Sequence, residues 1–545
     1  MTPGRWPFLC LPILLAASAC GSDILMVTMG GTKSHKMPFW ELARGLTRRN
    51  HNVTFLSAFP PDFHIPGVEE IAPEALVQYV RGYMSLDLVG ARMRGEEPLP
   101  LMHVLRYGYE ACDAFLNDYE TRSFFRSGRN YDLIILDGTY PECALGIVYK
   151  LKVPFMYINT VGFYSAPFSI SGSPAPYSVT PFFARPFTDN QGLVDRALNA
   201  AWHISALAAH SLSIAILQGV LRRHFGQQMP HVYDMAKNVS FILQNGHHSV
   251  SYPRPYLPNV AEVACIHCRD SKSLDPDIEE WIAGAGDAGF VYVSMGSSVR
   301  TTSMPLAAHK LFVGALGRLS QRVLWKQDAE QNMTDIPSNV RLFKWLPQQD
   351  LLGHPKIKAF ITHGGLLSMY ETVYHGVPIV TIPVFCDHDS NAAKAEIDGY
   401  AKKLELHRLT PEELYLGIKE VIEEPKYRVQ VKKRQILIRD QKESPLERAI
   451  YWTEYVIRHK GAYHLQSPAK DLNFIQYYLL DVAFLFLVSV ISLTALMIYV
   501  IRFGFKSMVD YIHNRQMNKL VEKSKFLLKG SQKLIDSTTL VKKKL

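Results

Sequence analysis

Two sets of residues in this chain have the types and spacing that chemistry needs. The denser set runs through Trp345-Leu-Pro-Gln348, His363-Gly364-Gly365, Ser368, Glu371 and Asp387-His388. An indole such as Trp345 offers a flat face for stacking a nucleobase. Two glycines before a helix let an anion approach free backbone amides, which suits a diphosphate without a metal. Glu371, two turns along from His363, can accept both hydroxyls of a ribose, and Asp387 can do the same for a hexose. Each residue alone has a plainer explanation: a core tryptophan, a turn, a solvated helix face. Their order along one stretch points to a ligand.

The sparser set is His35 and Asp137. His35 follows an apolar run and the loop Gly30-Gly31-Thr32-Lys33-Ser34, ahead of a helix expected to open near Pro38. An imidazole, with an ordinary pKa of about 6.5, is suited to take a hydroxyl proton near neutral pH. Asp137 ends a second apolar run, where a carboxylate can hold the imidazole in one tautomer. The glycine loop lacks the spacing of a dinucleotide site and reads as a tight turn. Cys265-Ile-His-Cys268 has the spacing of half a zinc site, with no second half to complete it. No metal and no cofactor are expected.

The elements that must position these residues read as short apolar strands alternating with helices, hence α/β with parallel sheets. One series is Ile24–Met29, Asn52–Ser57, Asp132–Leu136 and Phe155–Asn159. The other is Phe290–Ser294, Val323–Lys326, Val340–Phe343, Ala359–Thr362 and Ile379–Ile382. Three prolines within Pro253–Pro258 interrupt regular structure between them, and the polar segment 270–280 suits a linker. The expected organisation is two Rossmann-like domains, 21–270 and 271–445, facing a cleft. A return helix and membrane-proximal segment over 446–481 follows. A helical stretch around Val194–Arg223 is expected to furnish much of a second pocket. Ligands in such sheets lie beyond the carboxyl ends of the strands, where both residue sets fall.

The chain has 545 residues and a net charge of +9. From Arg502 to Leu545 there are 11 Lys/Arg against 3 Asp/Glu, a net +8, so the body is nearly neutral. A nucleic-acid binder needs its basic patch on the folded body, and that class is excluded. Residues 1–20 read as a signal peptide. Val482–Ile501 is uncharged and, at about 30 Å of helix, crosses one bilayer. Arg502 and Lys506 then place the tail 502–545 in the cytosol and the body in a lumen, a single-pass type I arrangement. Lys542-Lys543-Lys544-Leu545 resembles a dilysine retrieval signal of endoplasmic-reticulum membrane proteins. The seven cysteines form no regular framework, and three sequons begin at Asn52, Asn238 and Asn332.

Together with Ser34-His35, Asp137, Glu142-Cys143, Val293-Ser-Met-Gly-Ser297 and Tyr451-Trp452, the Trp345–His388 series resembles the membrane-anchored UDP-glycosyltransferases over nearly the whole chain. The resemblance implies a GT-B fold and inverting, metal-independent transfer of a hexose, glucose favoured, from a UDP-sugar to a small lipophilic acceptor. It implies His35 as base with Asp137 orienting it. It further implies Trp345 on uracil, Gln348 by the nucleoside, Glu371 on ribose, and His363, Gly364, Gly365 and Ser368 at the phosphates. Asp387 and His388 would face the sugar, and Ser294, Gly296 and Ser297 would form a loop near the donor. Asp387-His388-Asp389 also has DxD spacing, but that manganese motif belongs to a different glycosyltransferase fold. Leu367 stands where many relatives have Asn. His388 stands where most have Gln, and in plant relatives His there accompanies galactose. Glucuronate and galactose donors, a non-catalytic lipophile-binding membrane protein and a sugar-nucleotide epimerase are the competing readings. The oligomeric state is left open.

Overall fold

The structure is a computed structural model describing residues 21–162, 170–174, 176–299, 304–327 and 335–543. The signal segment, the sequon at Asn332 and the last two residues lie outside the described residues.

The first sheet contains β1 (Asp23–Thr28), β2 (Asn52–Ser57), β3 (Val68–Ile71), β4 (Leu133–Asp137), β5 (Phe155–Asn159), β6 (Phe241–Gln244) and β7 (Val260–Glu262). All pairs are parallel, in the order β3-β2-β1-β4-β5-β6-β7. The second sheet repeats that plan. It contains β8 (Phe290–Ser294), β9 (Arg322–Lys326), β10 (Val340–Phe343), β11 (Ile357–Thr362), β12 (Ile379–Thr381) and β13 (Ala401–Lys403), ordered β10-β9-β8-β11-β12-β13. Strand order reverses between β1 and β4 in one sheet and between β8 and β11 in the other. These are the two points where such folds open a crevice.

The central strands are buried on both faces, as parallel sheets under helices must be. Their continuous apolar runs make them visible in the sequence. Three strands lack that signal: β3 carries two glutamates, and β7 and β13 have three residues each; β6 has the run, but only four residues of it.

Helices cover the sheets. The first, α1 (Lys33–Thr47), leaves β1, and α2 (Leu101–Asn117) packs against the 33-residue α3 (Leu193–Phe225). Cys112 in α2 is bonded to Cys143, and Cys265 to Cys268. The absence of a regular cysteine framework in the sequence was therefore a poor guide to pairing. Closing the 31-residue separation between Cys112 and Cys143 stabilises the fold by roughly 3–4 kcal/mol on chain-entropy grounds.

The second sheet is followed by α4 (Leu366–His375) after β11, α5 (His388–Ile397) after β12, and finally α6 (Pro445–Arg458). The last returns to the first sheet. Its Trp452 stacks on Phe241 at 4.4 Å, and its Ala449, Ile450 and Val456 are buried with Phe39 and Leu42 of α1. Burying Ile450 and Val456 is worth about 1.5–3 kcal/mol each, enough to hold the chain's return across the cleft.

Residues 471–545 form a separate unit dominated by α7 (Leu480–Lys542), a 63-residue helix long and apolar enough to cross a membrane. The helix does not stop at Ile501 but continues into the basic tail. Helix α3 meets the same length and composition test, with a third of its apolar window buried. It is a pocket-forming helix of the body.

Candidate active site

At the first switch point, β1 ends and α1 begins at Lys33, five residues before the expected start near Pro38. Proline favours a helix's first turn, which misplaced the boundary. His35 thus sits in the first turn of α1, its side chain 17% exposed. Asp137 is the last residue of β4 and is buried. Its Oδ2 lies 3.4 Å from His35 Nδ1. The nearer partner of that nitrogen is Thr160 Oγ1 at 2.9 Å, with Thr139 Oγ1 at 3.4 Å. Thr160 in turn donates to Asp137 Oδ1 at 3.0 Å, and the Thr139 amide donates to the same oxygen at 3.0 Å. The imidazole is therefore held on one edge by a hydroxyl that is itself fixed by the carboxylate. Neither threonine was found from sequence. The available signal was that Thr160 directly follows β5 and Thr139 closely follows β4, both at strand carboxyl ends.

At the second switch point, Ser294 ends β8 and the loop turns at Gly296, with φ 74°. A Cβ at Gly296 would lie 2.3 Å from the His363 ring, so only glycine lets this loop rest on that histidine. His363 follows β11 and is 4% exposed. Burial, reinforced by the Lys326 charge, pushes its pKa down to about 3, so the ring is neutral. Lys326, at the end of β9, also escaped the sequence reading. Gly364 has φ 88°, and the Gly365 N-cap of α4 carries no side-chain cap, leaving first-turn amides for a ligand. Leu367 lies in that turn and contributes no polar side chain.

Within α4, Glu371 is buried and its Oε2 accepts from Gln348 Nε2 at 2.6 Å. That amide also reaches Ser368 Oγ at 3.0 Å, and Tyr292 donates to the Gln348 carbonyl at 3.2 Å. Trp345, in the loop after β10, is 70% exposed and presents its ring at the cleft. Burial raises the pKa of Asp387, opposed by the Asn391 amide at 2.9 Å and by the proximity of His35. His388 opens α5, packs edge-on against His363 at 4.3 Å and accepts the Phe385 amide on Nδ1. Burial first, and then the proximity of His363 and Arg92, hold it well below the ordinary histidine range. Asp389 is turned away into ion pairs with Arg92 at 2.8 Å and Lys403 at 3.4 Å.

One cavity of about 1720 Å³ joins these groups, with His35, Ser297, Trp345, Glu371 and Asp387 in its walls. Asp137 and Gly364 stand behind that lining. A mostly apolar lobe extends from His35 along Tyr83, Tyr107, Tyr140, Phe182 and Trp202. Across the cleft the body is pinned by Tyr370 of α4, which meets Ser251 Oγ at 2.8 Å and the His247 amide at 3.1 Å. The arrangement can grip an anionic ligand on the second sheet and remove a proton on the first. Among the described residues, no group of three or more His, Cys, Asp or Glu is placed to hold a metal ion.

Comparison with known proteins gives the same fold and a glycosyltransferase family. The family model described as UDP-glucoronosyl and UDP-glucosyl transferase matches residues 96–515. Human 2-hydroxyacylsphingosine 1-beta-galactosyltransferase is 32% identical over 499 residues, covering 90% of each chain. UDP-glucosyltransferase 2 of Dactylopius coccus is 30% identical over 526 residues, 95% of this chain and 99% of that protein. Rat UDP-glucuronosyltransferase 2A1 is 29% identical over 516 residues, 91% and 96% of the two chains. Among solved structures, the spinosyn forosaminyltransferase SpnP superposes with a TM-score of 0.53 at 14% identity, covering 80% of this chain and all of that one. The calicheamicin glycosyltransferase CalG4 gives 0.51 at 17% identity, covering 80% and 99%.

Proposed function

The chain belongs to the UDP-glucoronosyl and UDP-glucosyl transferase family and is a UDP-glycosyltransferase of GT-B fold; from that premise we propose how its residues divide the reaction. His35 is the general base. With its Nδ1 proton directed at Thr160 and Asp137, Nε2 is free to take the acceptor's hydroxyl proton. The acceptor oxygen attacks the anomeric carbon, the bond from that carbon to the UDP oxygen breaks, and the configuration inverts. UDP leaves toward the amides opening α4, where Gly364, Gly365, Ser368 and neutral His363 receive the diphosphate. Trp345 stacks on uracil, Gln348 borders the nucleoside, Glu371 takes the ribose hydroxyls, and Ser294 to Ser297 close over the donor. Asp387 and His388 read the sugar. No metal or cofactor takes part.

A neutral hexose suits that sugar subsite. Asp387 is an acid, both histidines are uncharged, and the nearby Arg92 and Lys403 are engaged by Asp389 and Glu405. Glucose is the favoured donor. Galactose is the second reading, carried by His388 and by the galactosyltransferase relatives. The aromatic lobe favours a small lipophilic acceptor. The single span, the basic tail and the two disulfides support an endoplasmic-reticulum membrane protein with a lumenal body.

The observation that carries this reading is His35, held by Thr160, in the wall of the same cavity as the donor-side Asp387. The test is UDP release by microsomes expressing the chain, offered UDP-glucose, UDP-galactose and UDP-glucuronate with pooled hydrophobic alcohols and phenols. Release with a neutral donor supports the proposal. Preference for UDP-glucuronate overturns the sugar assignment, and no release with any donor overturns the rest.

A further inference from the structure

The segment joining the two sheets contains a histidine that the reaction described above does not use. His267 lies between Cys265 and Cys268, whose disulfide closes a four-residue loop. Gln349 holds that loop from outside, its amide donating to the His267 carbonyl at 3.0 Å and its carbonyl accepting the Arg269 amide at 2.8 Å. The His267 side chain is 1% exposed and lies in the cavity wall beside Glu371. Its Nε2 stands 3.2 Å from Glu371 Oε1. The approach is out of line for a hydrogen bond, and both ring nitrogens lack a hydrogen-bond partner among the described residues. A buried polar group without a partner is costly, so such a ring marks a place where a bond forms in another state of the site.

The geometry points to His267 as a positioning residue for the donor's ribose: it fixes the Glu371 carboxylate from the flank opposite Gln348. The inference rests on the reading of Glu371 as the ribose acceptor. An ionised carboxylate offers about four lone-pair sites, two on each oxygen. Gln348 Nε2 takes one site on Oε2 at 2.6 Å. A small turn of the imidazole takes one on Oε1. One site is then left on each oxygen, the number two adjacent ribose hydroxyls require. Without His267, Oε1 can rotate away and the cis-diol loses one of its two acceptors. The Cys265–Cys268 loop supplies the rigidity, because the ring must approach from the linker and not from α4 itself.

The test uses the full-length chain in detergent or nanodiscs, with UDP and 2′-deoxy-UDP as probes, so no donor sugar need be known. Binding is measured by calorimetry for wild type, His267→Ala, His267→Gln and Glu371→Ala. The expected result is that His267→Ala weakens UDP by about 10-fold, the scale of one hydrogen bond to a charged group, and leaves 2′-deoxy-UDP within about 2-fold. His267→Gln, which keeps an N–H donor, should recover much of the difference. Equal weakening of both nucleotides by His267→Ala and His267→Gln means a packing role only and overturns the proposal, as does unchanged UDP binding. If Glu371→Ala leaves UDP affinity intact, the ribose assignment itself fails. If Glu371→Ala weakens UDP while His267→Ala does not, only the present inference fails. Should His267→Ala not fold, the ratio of UDP to 2′-deoxy-UDP affinity in His267→Gln decides: a ratio still well above that of Glu371→Ala supports the role, and a ratio reduced to it overturns the role.

Discussion

The two halves of the cleft use one strand order but distribute their working residues differently. On the second sheet, the proposed donor side occupies Trp345 to His388, a short stretch of chain that passes the ends of β10, β11 and β12 and the helices after them. On the first sheet, His35 and its nearest partner Thr160 are 125 residues apart. The difference comes from what is inserted. Helices including α2 intervene between β3 and β4, and α3 between β5 and β6, and these contribute the apolar lobe beside His35. A half-site whose ligand is constant can be compact in sequence. In the proposed division, the half-site that builds an acceptor pocket separates its base from the groups that hold it along the chain.

If the halves divide the labour in this way, variants should separate chemistry from donor binding. The largest effect is expected from His35→Ala, which should lower turnover by roughly 10²–10⁴-fold, the range of general-base catalysis. UDP affinity should stay within about 2-fold by calorimetry, since one distant imidazole is removed. A parallel loss of UDP binding would merge the two halves and break the comparison. Glu371→Ala should do the opposite: UDP binding weakened by about 10- to 100-fold through lost charged hydrogen bonds, read in the same titration. A smaller, shared effect is expected from acid. His363 has its folded pKa pushed down to about 3, below the unfolded value of about 6.5. Between those values the unfolded chain binds the extra proton, so stability rises with pH there and is fully present above about 6.5. Lowering the pH from 7 to 5 should therefore cost on the order of 2 kcal/mol from this group, visible as a fall in melting temperature. His363→Asn should flatten that slope. Thr160→Val should be smallest. Losing the hydroxyl that fixes Nδ1 should lower kcat by about 10-fold with the donor KM unchanged, and shift the pH–rate profile. A pH–rate profile identical to wild type would leave the orientation to Asp137 and Thr139.

The sequence shows more of the donor half than of the base half, for a physical reason. Interior parallel strands are largely continuous apolar runs, so β2, β5 and β8 are legible to the residue, and the edge strand β10, Val-Arg-Leu-Phe, is legible by its apolar residues alone. A glycine pair between a strand and a helix announces an anion site within a few residues. The short edge strands β3, β7 and β13 carry no such run, because an edge with few neighbours needs little apolar burial. The start of α1 was misread at Pro38, which lies inside the helix.

What the amino-acid order determined by itself is the α/β class, the two sheets, the strand ends that carry the candidate site and an apolar segment able to cross a bilayer. All of these are written in patterns that repeat over a few residues. The tertiary structure alone decided that Thr160 lies nearer than Asp137 to the His35 ring, that Cys112 finds Cys143, and that His267 stands beside Glu371. Those contacts join separate elements, and their geometry comes from how helices and sheets pack, which no local spacing encodes.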